Sequence, residues 1–88
     1  MKLNKDLRLR KVQNKNFIVA VNQLSKDFHG MVKLNDTAAF VFLLLKKNKS
    51  VEHIVDSIAK KYYISKEVAL KDVENIIRQF EKAGFFND

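Results

Sequence analysis

Several things are missing from this 88-residue chain, and each absence closes off a class of protein. There is no cysteine, so neither a disulfide framework nor a thiolate metal site is available. There is no proline to interrupt a helix. The two glycines, Gly30 and Gly84, are too few for a Gly-rich phosphate loop. The longest apolar run, Ala38 to Leu45, is eight residues, against the roughly 20 that span a bilayer. The opening Met1-Lys2-Leu3-Asn4-Lys5-Asp6 is too charged for the apolar core of a signal peptide. A soluble, cytoplasmic protein with no membrane association is expected. His29 and His53 fall in different elements, and no Asp/Glu/His cluster has metal-ligand spacing. Ser50, Ser57 and Ser65 lack the context of a nucleophile. No catalytic residue, no metal and no cofactor is therefore expected, and the chain is read as a non-enzyme.

What is present is enough apolar sequence for one folded domain over residues 1–88: 47% hydrophobic and 10% aromatic, well outside the disordered range. The net charge of +7 is unevenly placed. Residues 1–34 hold eight Lys/Arg against two Asp/Glu, and residues 35–49 three against one. Residues 50–64 hold two of each, and residues 65–88 four against five. The positive charge belongs to the first half.

Around the run 38–45 the chain organises itself. A segment apolar on every side belongs inside a fold. Asn35 is a good N-cap, Asp36 suits a positive first turn, and the Ala38-Ala39 pair suits a helix interior, so the run is read as a central helix of about three turns. Before it, Leu7-Arg8-Leu9-Arg10 alternates at the period of a strand running to Val12. Asn14-Lys15-Asn16 reads as a turn, and Phe17-Ile18-Val19-Ala20-Val21 as a second strand with Phe17, Val19 and Val21 on one face. Ser25-Lys26-Asp27 reads as another turn. A third strand over Phe28 to Leu34 then puts Phe28, Gly30, Val32 and Leu34 together. After the central helix, Ser50 caps a second helix with Val51, Ile54, Val55, Ile58 and Tyr62 on one face. Ser65 caps a third, over 65–83, with Ala69, Val73, Ile76, Ile77 and Phe80 inward. Gly84 stands at a left-handed C-terminal cap, and Phe85-Phe86 folds back on the core. The fold class is α+β: a three-stranded antiparallel meander followed by three helices, βββααα.

Two features can carry a binding function. The helix pair 50–62 and 65–83 has helix-turn-helix spacing, which makes a small winged-helix DNA-binding protein the alternative reading. Its second helix mixes Lys66, Lys71, Arg78 and Lys82 with Glu67, Asp72, Glu74 and Glu81, a neutral face that disfavours nucleic acid. The other feature is the third strand. At the edge of a meander it offers unpaired N–H and C=O groups to an extended peptide, with Lys26 and Lys33 guarding against self-association. On the last helix Val68, Asp72, Asn75 and Gln79 flank the buried stripe, with Ile76 at its margin, and suit the wall of a groove.

The chain resembles the PqqD-like family of RiPP precursor peptide recognition elements. The resemblance rests on Val32-Lys33-Leu34-Asn35-Asp36-Thr37-Ala38 leading into the apolar helix, and on Ser50-Val51-Glu52-His53-Ile54 opening the next. Tyr62, the Asp72-Val73 pair and the closing Gly84-Phe85-Phe86 complete it. It spans roughly residues 7–86 and implies a winged helix-turn-helix-like domain. It also implies a function: binding the leader segment of a ribosomally made precursor peptide as an added strand. The peptide is then presented to a modifying enzyme such as a radical SAM protein, a cyclodehydratase or a lasso-type leader peptidase. Carried onto this sequence, the strand wall is His29, Gly30, Met31, Val32, Lys33 and Leu34. The helix wall is Val68, Asp72, Asn75, Ile76 and Gln79. Asn48 stands where the family often has Gly, and Asn also tolerates the left-handed turn. The basic strand region implies a peptide with acidic residues near the groove. Either a monomer or a dimer, formed by swapping the strand or using the same edge for assembly, is compatible with the sequence.

Overall fold

A computed structural model of the protein describes residues 2–26 and 30–87. Its elements are β1 (Leu7–Val12), β2 (Lys15–Ala20), β3 (Met31–Leu34), α1 (Asp36–Lys46), α2 (Val51–Tyr62) and α3 (Lys66–Lys82), with a short 3-10 helix over Asn22–Lys26. The sheet is antiparallel in the order β1-β2-β3, so βββααα is the observed order.

Local chemistry sets the helix ends. Asn35, Ser50 and Ser65 each accept a hydrogen bond from a backbone N–H three residues on: Ala38 (2.8 Å), His53 (3.1 Å) and Val68 (3.2 Å). These oxygens satisfy donors that the first helical turn leaves without a partner. The far ends of α1 and α3 close alike. Asn48 takes φ 60° and Gly84 φ 78°. At α3 the Gly84 N–H donates to the Glu81 carbonyl and the Phe85 N–H to the Phe80 carbonyl, both at 3.0 Å. This is the Schellman pattern, accompanied by its usual apolar contact, here between the rings of Phe80 and Phe85. Asn48 does for α1 what glycine does for α3: its N–H reaches Leu45 at 2.9 Å and that of Lys49 reaches Leu44 at 3.0 Å.

The strands depart from the sequence expectation in four ways. The first turn is Gln13-Asn14, both at positive φ, rather than Asn14-Lys15-Asn16. Val12 pairs with Lys15, leaving the two-residue loop whose left-handed backbone matches strand twist. Asn16 is consequently inside β2 and buried. Second, β2 ends at Ala20, so Val21 falls just past it; Phe17 and Val19 share one face as expected, and that face is the outward one, with Ile18 fully buried on the other. A run apolar at every position does not say which alternate set points inward. Third, Ser25 and Lys26 belong to the 3-10 helix rather than to a simple turn. Fourth, β3 begins at Met31. Gly30 bends with φ 96°, a conformation that ladder geometry does not use. The expected strand residues Phe28 and His29, and the turn residue Asp27, lie outside the described residues.

The core gathers side chains from the three strands, the three helices and the segment after α3. Leu7, Ile18, Val41, Phe42, Ile54, Ile58, Val73, Phe80 and Phe85 have at most 1% exposure. Phe42, Phe80 and Phe85 form an aromatic trio with centroids 5.3–6.2 Å apart, two of the pairs edge-on. α1 is the most buried helix, but not on every side: Leu43 is 44% exposed. The residues after α3 also pair with the N-terminal segment. Leu3 bridges Phe86, and the Asn4 N–H donates to the Phe85 carbonyl at 2.8 Å.

Candidate functional site

Register decides which backbone groups are free. The two-residue loop makes Val12–Lys15 a hydrogen-bonded pair, and such pairs alternate along an antiparallel ladder. Arg10–Phe17 and Arg8–Val19 follow in the same class. The next step beyond β1 agrees, since the Val21 N–H donates to the Asp6 carbonyl at 2.8 Å. Asn16 and Ile18 must then turn their backbone groups toward β3, where they face Leu34 and Val32. Met31 and Lys33 are left directing N–H and C=O away from the sheet, at its open edge. Their side chains point outward beside Val19 and Phe17, whereas Val32 and Leu34 point in beside Ile18 and Asn16.

The strand is held at this position by the chain on both sides of Leu34. Leu34 is buried, Asn35 caps α1, and the Asp36 carboxylate accepts a 2.8 Å hydrogen bond from the buried Asn16 amide on β2. The sequence assigned Asp36 to helix capping alone and Asn16 to a turn. Their bond joins positions 20 residues apart and fixes where the sheet hands over to the helix.

Across from this junction stands α3. A cleft of about 250 Å³ is lined by Asn35 and Thr37 from the start of α1 and by Asp72, Asn75 and Ile76 from α3. Three of the five expected helix-wall residues thus line a cleft with the start of α1, just past β3. Val68 and Gln79 continue the same stripe at the i, i+4, i+7, i+11 spacing of Val68, Asp72, Asn75 and Gln79, but line no part of this cleft. Val68 is 48% exposed, an apolar side chain left facing solvent along the stripe. On the strand side Met31, Val32, Lys33 and Leu34 form the edge, Gly30 bends just before it, and His29 lies outside the described residues. Two participants escaped the sequence reading. Thr37 lines the cleft, and Arg78 donates to the Asn75 side-chain oxygen at 3.0 Å, holding that amide in place. Thr37 has no local signature, whereas Asn75 and Arg78 are i, i+3 neighbours on one helix, a spacing that could have suggested their bond.

Among the described residues no group of three or more His, Cys, Asp or Glu side chains is placed to hold a metal ion. No helix among them is long and apolar enough to cross a membrane.

A three-stranded antiparallel sheet with β3 at its open edge, followed by three helices, and a shallow cleft between the start of α1 and α3, define a small α+β domain of winged helix-turn-helix-like class. The comparison with known families gives the particular one. The sequence profile of coenzyme PQQ synthesis protein D (PqqD) matches residues 18–85, and the chain belongs to the PqqD family. Among solved structures, TbiB1 in complex with the TbiA(beta) leader peptide superposes with a TM-score of 0.78 at 18% identity, over 100% of both chains. At that identity the likeness concerns the fold. No curated protein matches the chain at a significant level.

Proposed function

We propose that this protein binds the leader segment of a ribosomally synthesised precursor peptide as a fourth strand along β3, and presents it to the enzyme that modifies or cleaves that precursor. The observation that carries the reading is the pair of outward-directed backbone groups at Met31 and Lys33, on the strand that leads straight into Asn35 and Thr37, the wall of the cleft shared with Asp72, Asn75 and Ile76. An extended peptide takes its affinity from main-chain bonds to such an edge and its specificity from the alternate side chains that enter the groove. Membership of the PqqD family supports the reading, as does the TbiB1 complex, which holds the TbiA(beta) leader peptide. The inward side chains of the bound strand pass between Val32 and the α3 stripe from Val68 through Ile76 to Gln79. Its outward side chains lie beside Met31 and Lys33, where an acidic residue gains from the lysine. The domain acts without catalysis, in the cytoplasm where precursor and enzyme meet, by raising the local concentration of one at the other.

A labelled leader peptide titrated into the isotopically labelled protein tests this. The expected result is saturable binding with amide shifts concentrated at residues 31–34 and 68–79. Shifts confined elsewhere, or no binding at micromolar protein, overturn the reading.

A further inference from the structure

β2 is written like a strand covered on both faces. Strands with two buried sides are continuous apolar runs, whereas a strand with one solvated face alternates with polar residues. Phe17-Ile18-Val19-Ala20 has no polar member, yet the fold covers only the Ile18 side completely. On the other side, the register places Phe17 between Arg10 and Lys33, and Val19 between Arg8 and Met31. Met31 is 61% exposed and Val12, at the end of the same face, 51%. Every charged side chain on the three strands is basic: Arg8, Arg10, Lys11, Lys15 and Lys33. All of these but Lys11 alternate onto the outer face. The result is a short apolar row, Phe17, Val19 and Met31, framed by four cations with no carboxylate on the strands beside them.

We infer that this outer sheet face is a second interaction surface, which docks an acidic, apolar-centred patch on the enzyme that receives the peptide. The inference rests on the reading above for the identity of the partner. Charge decides among occupants. A second copy of the same face sets four cations against four, which repel. A single-stranded nucleic acid needs aromatic platforms for successive bases, and here one ring stands between aliphatic neighbours. A protein patch with carboxylates around an apolar centre answers both parts of the surface. The arrangement also has a mechanical sense. A peptide paired to the β3 edge extends the sheet by one strand, and its outward side chains join the row of Met31 and Lys33. The enzyme then meets sheet and peptide as one continuous face.

The experiment uses the full chain and the purified enzyme that modifies or cleaves its precursor, with two separate readouts: calorimetry for the enzyme and fluorescence anisotropy for a labelled leader peptide. The double variant Arg10→Glu, Phe17→Ser lowers enzyme affinity by about tenfold or more, as loss of an interface anchor does, while leader affinity is unchanged. The single variant Lys15→Glu, fully on the surface, weakens the enzyme less, and wild-type affinity for the enzyme falls with added salt. Unchanged enzyme affinity in the folded double variant overturns the inference. So does a parallel loss of leader binding, a dimer that dissociates on Phe17→Ser, or an oligothymidine that competes with the enzyme for the face. Failure of the wild-type chain to bind the leader overturns the proposed function instead, and is read in the other channel.

Discussion

Among the described residues Tyr63, like Gln13, holds a left-handed backbone without being Asn or Gly. Its φ of 55° ends α2, where Asn48 and Gly84 do the same service for the other helices with residues suited to it. The ring is 95% exposed, so its contacts contribute little to offset the strain. Relief of the left-handed conformation exceeds the extra chain entropy of glycine, so Tyr63→Gly stabilises the fold by about 0.5–1 kcal/mol. A thermal melt shows it as a rise of a few degrees in Tm. Lys46 is a different kind of exception. Its ammonium donates to the Leu7 carbonyl at 2.8 Å, tying α1 to β1. Burial lowers its pKa below the ordinary 10.5, the Arg8 charge lowers it further, and Asp6 partly opposes both. The folded state therefore releases this proton before the unfolded chain does. From this group alone, stability rises as pH climbs from the folded pKa toward 10.5 and is level on either side. Side-chain NMR titration checks it: Lys46 loses its proton below the ordinary 10.5.

At the scale of the element, β3 is where function and fold can be separated. Lys33 directs its N–H to the open edge, so proline there removes a donor that the sheet does not use. Lys33→Pro is expected to leave the β2–β3 pairing and the far-UV spectrum intact while lowering leader affinity by about tenfold, the worth of roughly one good hydrogen bond. Isothermal titration of the folded variant measures it. Much of this element-level picture was legible in the chain because helices carry their instructions locally. Asn35, Ser50, Ser65 and Gly84 each act on groups within four residues, and the 3.6-residue period placed Asp72, Asn75 and Ile76 on one wall. The strands carry less. Which of Phe17 and Ile18 points inward is set by the hairpin loop, and Gln13 is not a residue that advertises a left-handed turn. The start of β3 depends on the bend at Gly30, and the Asn16–Asp36 bond, 20 residues apart, arises only after folding.

The molecule as a whole is closed by its last residues. Phe85 is fully buried against Phe42 and Phe80, and its backbone carbonyl receives the Asn4 N–H, so one position joins the helical layer to the N-terminal segment. Phe85→Ala is expected to cost about 3–5 kcal/mol, a large part of the 5–15 kcal/mol that holds a domain together. Urea denaturation will show the midpoint fall steeply with little change in slope. The four-residue length of β3 works in the other direction, as a limit on meaning. An edge with two outward-facing residues spells a short word. A peptide laid along it has every second side chain turned away from the groove, so about two of its residues are inspected and the rest go unread. Vocabulary of that size tolerates wide variation along a leader, provided the few letters that face α3 are kept.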